Sequence, residues 1–294
     1  QEPAEPRDHS RLLVLDKSTG KIEHRFFHEL PEYLNKGDLV VFNDSRVIHA
    51  RLLGHKEDTG GKAEIFLLRS LGEGMWEALS RPARRLKKGN AVIIQNSVSC
   101  RIKVEIMEEK EGGIRIVRLH GEEYIEKLGE VPLPPYIHSR LSDPGRYQTV
   151  YAKEPGSVAA PTAGLHFTRE LMQALHEKGI GLEYVTLNVG LDSFRTVIEE
   201  DPKDHLINRE WAILSEKCAD SINRTRECGG RIICVGTTVV RSVEQSALSS
   251  GLPLKPFGGW CNLFIFPGYS FKLMNTLITN FHPPLSTHLM LVSA

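Results

Sequence analysis

The sequence predicts an α/β protein: a discontinuous mixed α/β domain with an all-β barrel domain inserted into it. Three observations carry this. Strand-like runs at LVVFND (39–44), LEYVTLNVGL (182–191) and RIICV (231–235) alternate with segments of helical period in the second half of the chain. Between about 51 and 140 helical period gives way to strand-like runs broken by glycine turns. The length, 294 residues, suits about two domains at roughly 150 residues each. The expected division is 1–50 and 146–294 for the two parts of the α/β domain, and 51–145 for the barrel.

Taken in order, residues 1–10 are polar and proline-containing, and are expected to be extended. RLLVLD (11–16), the turn STGK and IEHRFF read as a hairpin. HELPEYLNKGD reads as a short helix stopped at Gly37. LVVFND is a buried strand that ends in the polar cluster Asn43, Asp44, Ser45, Arg46. Ligands favour strand ends in such sheets, and a turn closed by Asn and Asp side chains fits the cluster equally well.

The inserted segment carries KAEIFLLRSL, MWEALSR, AVIIQ, SVSCRIKVEIM and IRIVRLH, separated by glycine turns. Residues 81–103 hold seven basic side chains (Arg81, Arg84, Arg85, Lys87, Lys88, Arg101, Lys103) and no acid. Such a patch fits either a grip on a phosphate backbone or a solvated hairpin face. VPLPPYI (131–137) reads as the return linker.

The chain is organised around 147–168, YQTVYAKEPGSVAAPTAGLHFT. It is small residues and hydroxyls with one imidazole, His166, and runs directly into a helix. Small residues let a ligand approach the backbone, and hydroxyls and free N–H groups can hold it. Thr168 is the expected cap of that helix, which Gly179 ends. In LEYVTLNVGL, Val185, Leu187 and Val189 face one way, and Tyr184, Thr186 and Asn188 the other. Residues 197–210 read as a charged loop, and 215–228 as a helix capped by Ser215. RIICV then passes through Gly236-Thr237-Thr238 into a helix, which presents N–H groups and hydroxyls suited to a carboxylate. Arg241 and Glu244 lie one turn in, three residues apart, and a surface ion pair is the plain alternative to a role in binding for them. LFIFP (263–267) and KLMNTLITN (272–280) read as strands, followed by FHPPLST and a helix capped near Ser286 or Thr287. That helix is still apolar at Ala294, so the native chain is expected to continue.

Composition narrows the chemistry. The 37 basic and 37 acidic residues give no net charge, so nucleic-acid binding would need a local patch. Five scattered cysteines with no CxxC pair argue against a disulfide framework or a zinc knuckle, and fit the cytoplasm. No apolar run approaches the ~20 residues of a membrane span, and no signal peptide is visible. GxGxxG, GxxxxGK[ST] and GxSxG are all missing from the sequence. The polar strand exits and the two His-bearing turns suit an organic ligand with a carboxylate and hydroxyls, and suit a metal poorly.

The motifs NDSRVI (43–48), RPARRLKKG (81–89), PLPPYI (132–137), RYQTVYA (146–152), GSVAAPTAGLHFT (156–168), VGTTVVRSVE (235–244), FPGYSF (266–271) and TNFHPPLSTHLMLVSA (279–294) extend over nearly the whole chain. The chain resembles the S-adenosylmethionine:tRNA ribosyltransferase-isomerase family of queuosine biosynthesis. The resemblance implies the discontinuous α/β domain with its inserted barrel. It implies S-adenosylmethionine as co-substrate with no prosthetic group, and a tRNA carrying aminomethyl-7-deazaguanine at the wobble position. The ribosyl group would be transferred and rearranged to an epoxycyclopentane, with release of adenine and methionine. The sulfonium acidifies the adjacent ribose carbon, and a base removes that proton.

On this reading His166 is the first choice for proton transfer and His282 the second. Thr162, Gly164, Thr237, Thr238, Arg241, Asn43, Arg46 and Arg195 would hold S-adenosylmethionine. Tyr147, Tyr151, Arg81, Arg84, Arg85, Lys87 and Lys88 would meet the tRNA. A cytoplasmic monomer with no metal and no membrane contact is expected. The chain departs from the family pattern at Asn188, where LHVG has become LNVG, and at Leu285, where a Lys is usual. It departs also at INRE (207–210) and His49. A member that binds RNA without turnover, or one that acts on a small molecule, is the alternative.

Overall fold

The computed structural model describes residues 4–97, 100–110, 113–133, 143–190, 197–199, 201, 204, 205, 207 and 209–294. The chain forms two compact units. One comprises Gln1–Ser45, Ser139–Glu154 and Ala160–Ala294, and the other Arg46–His138 with Pro155–Ala159.

The N-terminal segment is not extended throughout: Arg7–His9 makes one 3-10 turn. Strands β1 (Arg11–Leu15) and β2 (Ile22–Phe26) pair antiparallel as the predicted hairpin. The short helix that follows is a 3-10 helix, Phe27–Tyr33, whose entry is fixed by Phe26 N–H donating to Glu29 Oε2 at 2.6 Å. Strand β3 (Leu39–Asn43) is buried along its whole length, as its unbroken apolar run requires of a strand covered on both faces.

β4 (Ser45–Val47) leads towards the barrel strands β5 (Arg51–Lys56), β6 (Lys62–Gly72), β7 (Met75–Arg81), β8 (Ala91–Ser97), β9 (Cys100–Glu109) and β10 (Arg115–His120). They pair antiparallel in the order β5-β6-β7-β10-β9-β8, and β8 returns to β5 to close a six-stranded barrel. Alternate residues, among them Leu52, Ile65, Leu67, Val92, Ile102, Val104 and Val117, fill its interior. Closure needs Gly54: a Cβ there would lie 2.3 Å from Ile93 O on β8. Helix α1 (Ile125–Leu128) and β11 (Gly129–Glu130), which pairs with β5, follow in this unit.

The chain returns through β12 (Glu154–Ser157) to the α/β unit. There α2 (Arg169–Glu177), β13 (Gly181–Leu187), β14 (Glu210–Leu214), α3 (Glu216–Glu227), β15 (Ile232–Val235), α4 (Thr237–Ser250), β16 (Phe257–Cys261), β17 (Thr276–Ile278) and α5 (Thr287–Val292) follow. The sheet order is β16-β14-β13-β3-β15-β17, with β13, β3, β15 and β17 parallel and the β14 and β16 edge antiparallel. Leu39 and Val41 of β3 face α3 and α4, while Val40 and Phe42 face α2 and the Phe27–Tyr33 helix. The predicted caps hold: Thr168, Ser215 and Ser286 each accept an N–H of the first turn.

Three readings of the second half are corrected. β14 and β16 occupy segments to which the sequence assigns no strand. LFIFP is not a strand, because Leu263 O accepts Arg241 Nε–H at 3.1 Å and is withdrawn from any ladder. Of KLMNTLITN only Thr276–Ile278 is strand. The N–H groups of Lys272, Leu273 and Met274 go instead to the Glu244 carboxylate, at 2.9, 2.9 and 3.1 Å. Glu244 is fully buried and also accepts from Tyr269 OH, so the surface pair with Arg241 does not form.

Candidate active site

The parallel strands order the site. β13 and β15 flank β3 on opposite sides, which makes the carboxyl end of β3 a point of topological reversal, where open α/β sheets place their ligands. Asn43, the last residue of β3, fastens this end. Its Nδ2 donates to Leu187 O at 2.9 Å and to Thr238 Oγ1 at 3.4 Å, and its Oδ1 accepts from Leu187 N at 3.0 Å and Ser45 N at 3.1 Å. Two amide hydrogens and two lone pairs are all an asparagine has, so Asn43 is a clip and not the ligand contact the sequence predicts.

Beyond the clip stands a wall of aromatic and hydroxyl side chains. The ring of Tyr151 packs on Phe42 (centroids 4.8 Å apart) and near Tyr184 (5.8 Å). Its hydroxyl is buried against Gly164, where a Cβ would lie 1.9 Å from it. Burial holds the Tyr151 phenol far above its usual pKa, so it stays neutral. Asp44 accepts Thr186 O–H at 2.6 Å, and burial raises its carboxyl above the ordinary range. The Tyr151 hydroxyl, Thr149 Oγ1, Ser45 Oγ and Asn188 Oδ1 are buried without a hydrogen-bond partner among the described residues. Buried polar atoms normally find partners, and a water or a polar ligand would supply them here.

His166 closes the 3-10 turn Thr162–His166. The next residue, Phe167, is fully buried and packs edge-on to Phe27 and Phe42, which fixes where the turn stands. The imidazole meets Ser10 Oγ through Nδ1 at 2.8 Å and Asn280 Oδ1 through Nε2 at 2.9 Å. Desolvation lowers its pKa against the opposing Asn280 hydrogen bond, so it is neutral at pH 7. Thr162, Gly164 and His166 thus belong to one turn of the wall.

The other predicted residues fall elsewhere. His282 stacks on His288 (centroids 5.1 Å, planes 19° apart) and its Nε2 is 2.9 Å from Thr279 Oγ1. Burial pushes both imidazoles down to about 4. Arg241 is committed to a buried ion pair with Glu210, which also accepts Gly190 N–H at 2.9 Å, and it donates to Leu263 O and Cys261 O. That corrects the expectation of a free carboxylate-binding fork. Thr237 and Thr238 stand almost buried at the start of α4, Thr238 against Asn43. Tyr147 is 4% exposed and so presents no ring face for stacking. Arg195 lies outside the described residues.

In the barrel unit, Arg46 pairs with Glu126 at 3.3 Å, with both side chains half-exposed. Arg101 and Lys103 pair with Glu57, which narrows the basic patch to residues 81–88. Arg81, Arg84, Arg85, Lys87 and Lys88 are all exposed there. Arg115, itself buried, donates to Ala83 O at 2.6 Å and Leu86 O at 2.9 Å, and so holds the loop from within. Among the described residues, no group of three or more His, Cys, Asp or Glu is placed to hold a metal ion, and no helix is long and apolar enough to cross a membrane.

The whole chain, residues 1–294, matches the family model described as "Queuosine biosynthesis protein". The chain belongs to that family. It is 53% identical over 296 residues to the S-adenosylmethionine:tRNA ribosyltransferase-isomerase of Dehalococcoides mccartyi (strain CBDB1), covering 100% of this chain and 86% of that one. It is 49% identical over 298 residues to the protein of the same name from Acetivibrio thermocellus, with the same coverage of both chains. It is also similar to the crystal structure of S-adenosylmethionine tRNA ribosyltransferase from Thermotoga maritima. There the TM-score is 0.52 and the identity 36%, over 100% of this chain and 84% of that one.

Within this queuosine-family chain, sequence reasoning missed Ser10, Asn280, Glu210 and Arg115. Asn280 had a signal, since it precedes His282 in TNFH at a strand exit. Ser10 had none: a serine before a hairpin is commonplace, and only the fold carries it to His166.

Proposed function

We propose that this chain transfers and isomerises the ribosyl group of S-adenosylmethionine onto the aminomethyl-7-deazaguanine wobble base of tRNA, with release of adenine and methionine. The observation that carries the reading is the neutral imidazole of His166, held by two hydrogen bonds in the turn that lines a wall of orphaned hydroxyls. A neutral, buried imidazole is a competent general base at pH 7, a role worth ~10²–10⁴-fold in rate. Its substrate proton is the one on the ribose carbon next to the sulfonium. The orphaned Tyr151, Thr149 and Ser45 hydroxyls and Asn188 Oδ1 fit the hydroxyls and amine of S-adenosylmethionine. The N–H groups at the start of α4, beside Thr237 and Thr238, fit its carboxylate.

Positioning is the second requirement, since two large substrates must meet at one carbon. Arg81, Arg84, Arg85, Lys87 and Lys88 are suited to phosphates of the tRNA, and Arg115 keeps their loop in shape. The same reading takes the chain as a cytoplasmic monomer that needs no prosthetic group. Incubation with S-adenosylmethionine and wobble-modified tRNA tests it: adenine and methionine should appear together, and His166→Ala should abolish their release while the protein stays folded. Near-normal release from the variant would remove His166 from the mechanism.

A further inference from the structure

Ser10 stands just before β1 and Asn280 just after β17, and both bond one imidazole. A neutral imidazole has one N–H and one lone pair. The amide of Asn280 is placed with Oδ1 2.9 Å from Nε2, and an amide oxygen only accepts, so this orientation assigns the hydrogen to Nε2. Nδ1 then carries the lone pair, and Ser10 O–H, 2.8 Å away, donates to it. The two lone pairs on Ser10 Oγ remain for an incoming group.

We propose that Asn280 is a positioning residue that makes Nδ1 the basic nitrogen of His166, and that Ser10 relays the proton between Nδ1 and the bound substrate. The inference rests on His166 being the base of the proposed reaction. The C–H bond of the ribose carbon beside the sulfonium breaks and its electron pair stays on carbon. The proton passes to Ser10 Oγ as the hydrogen of Ser10 passes to Nδ1. The imidazolium formed keeps both bonds, and the Nε2–H bond to Asn280 strengthens with the charge.

The surroundings suit a base that must give its proton back. Asn280 is neutral, so it does not trap the imidazolium as a carboxylate would. The aromatic ring of Phe27 lies 5.2 Å from the imidazole. The backbone of Arg7 hydrogen-bonds the imidazole and favours its protonation, while the charge of the Arg7 guanidinium, tied to Gln148 O at 2.7 Å and Gly145 O at 3.1 Å, opposes it to a smaller extent. Asp8, on the same turn as Arg7, accepts from Thr168 Oγ1 at 3.2 Å, so its charge has another partner.

Long-range proton–nitrogen NMR of the wild-type protein, with His166 assigned, reads the tautomer directly. Hydrogen on Nε2 is expected, and hydrogen on Nδ1 would overturn the proposal. Asn280→Asp should raise the acid limb of kcat/KM by about one pH unit, because a carboxylate now faces the ring. Ser10→Ala should lower kcat by ~10²-fold with the KM for S-adenosylmethionine unchanged, and Ser10→Thr should restore most of it. An unmoved acid limb in folded Asn280→Asp overturns the proposal; if that variant fails to fold, the wild-type tautomer decides. If His166→Gln is inactive and the limb is unmoved, only this inference fails. If His166→Gln turns over normally, the base assignment fails with it.

Discussion

The Nε2 of His166 lies 2.9 Å from Oδ1 of Asn280, across 114 residues of sequence. The contact exists because β17 runs parallel beside β15, whose own exit is fastened to it by Gly236 N–H donating to Ile278 O at 2.8 Å. The buried Phe167 anchors the other partner. A single sheet edge thereby gathers the hairpin entrance, the Thr162–His166 turn and the β17 exit around one ring.

Removing the Tyr151 hydroxyl separates binding from folding. That oxygen has no partner among the described residues, and such a buried group costs about 1–3 kcal/mol, so Tyr151→Phe should leave the protein at least as stable as the wild type. The affinity for S-adenosylmethionine should fall, by about tenfold for the hydrogen bond removed. Chemical denaturation and calorimetric titration check the two halves.

Gly164→Ala should be damaging, since its Cβ would meet Tyr151 OH at 1.9 Å and Thr149 Cγ2 at 3.0 Å. Adding Tyr151→Phe removes the nearer atom and should recover part of the stability. A double-mutant cycle of melting temperatures reads the coupling.

Asn43→Ala should cost about 3 kcal/mol, because it leaves Leu187 and Ser45 backbone groups buried without partners. Urea unfolding measures it. A loss near zero would mean that the strand ends hold without the clip.

The overall architecture was legible because its signals are local. Consecutive apolar residues mark β3, alternation marks β13, and glycine turns mark the barrel strands. Helix caps were legible for the same reason. What stayed hidden depends on side chains that replace backbone partners. Glu244 takes three N–H groups from 272–274, and Arg241 takes Leu263 O, so two apolar runs that look like strands are mostly not strands. Strand β14, between β13 and β16, carries Trp211 and Ile213 outward on an exposed face, so its pattern did not read as buried sheet. At the candidate site, residue types in 147–168 pointed to the turn Thr162–His166, but Asn43 and Arg241 look like ligand contacts in sequence and are consumed by the fold. No pattern in the sequence links Ser10 to His166.

Acid should loosen the protein through His282 and His288. Their pKa falls from 6.5 to about 4 on folding, so the unfolded chain binds more protons between those values. Their contribution is therefore complete above pH 6.5 and is lost as pH falls toward 4. Replacing both by Gln should flatten the fall of melting temperature across that window.

The basic loop should govern the salt dependence of tRNA binding. Neutralising Arg84, Arg85, Lys87 and Lys88 together should weaken binding and lower the slope of log affinity against log salt, by roughly 0.7–0.9 for each phosphate that no longer has a cation beside it. Adenine release at saturating tRNA should be nearly unchanged. An unchanged slope would make the patch a solvated face.

The most direct test is adenine and methionine release from S-adenosylmethionine by the wild-type chain, with and without tRNA carrying the aminomethyl-7-deazaguanine wobble base. The account predicts stoichiometric release of both products that requires the modified tRNA, with the ribosyl carbons recovered on the wobble nucleotide. Formation of S-adenosylhomocysteine, release that ignores the tRNA, or no release from folded protein would contradict it.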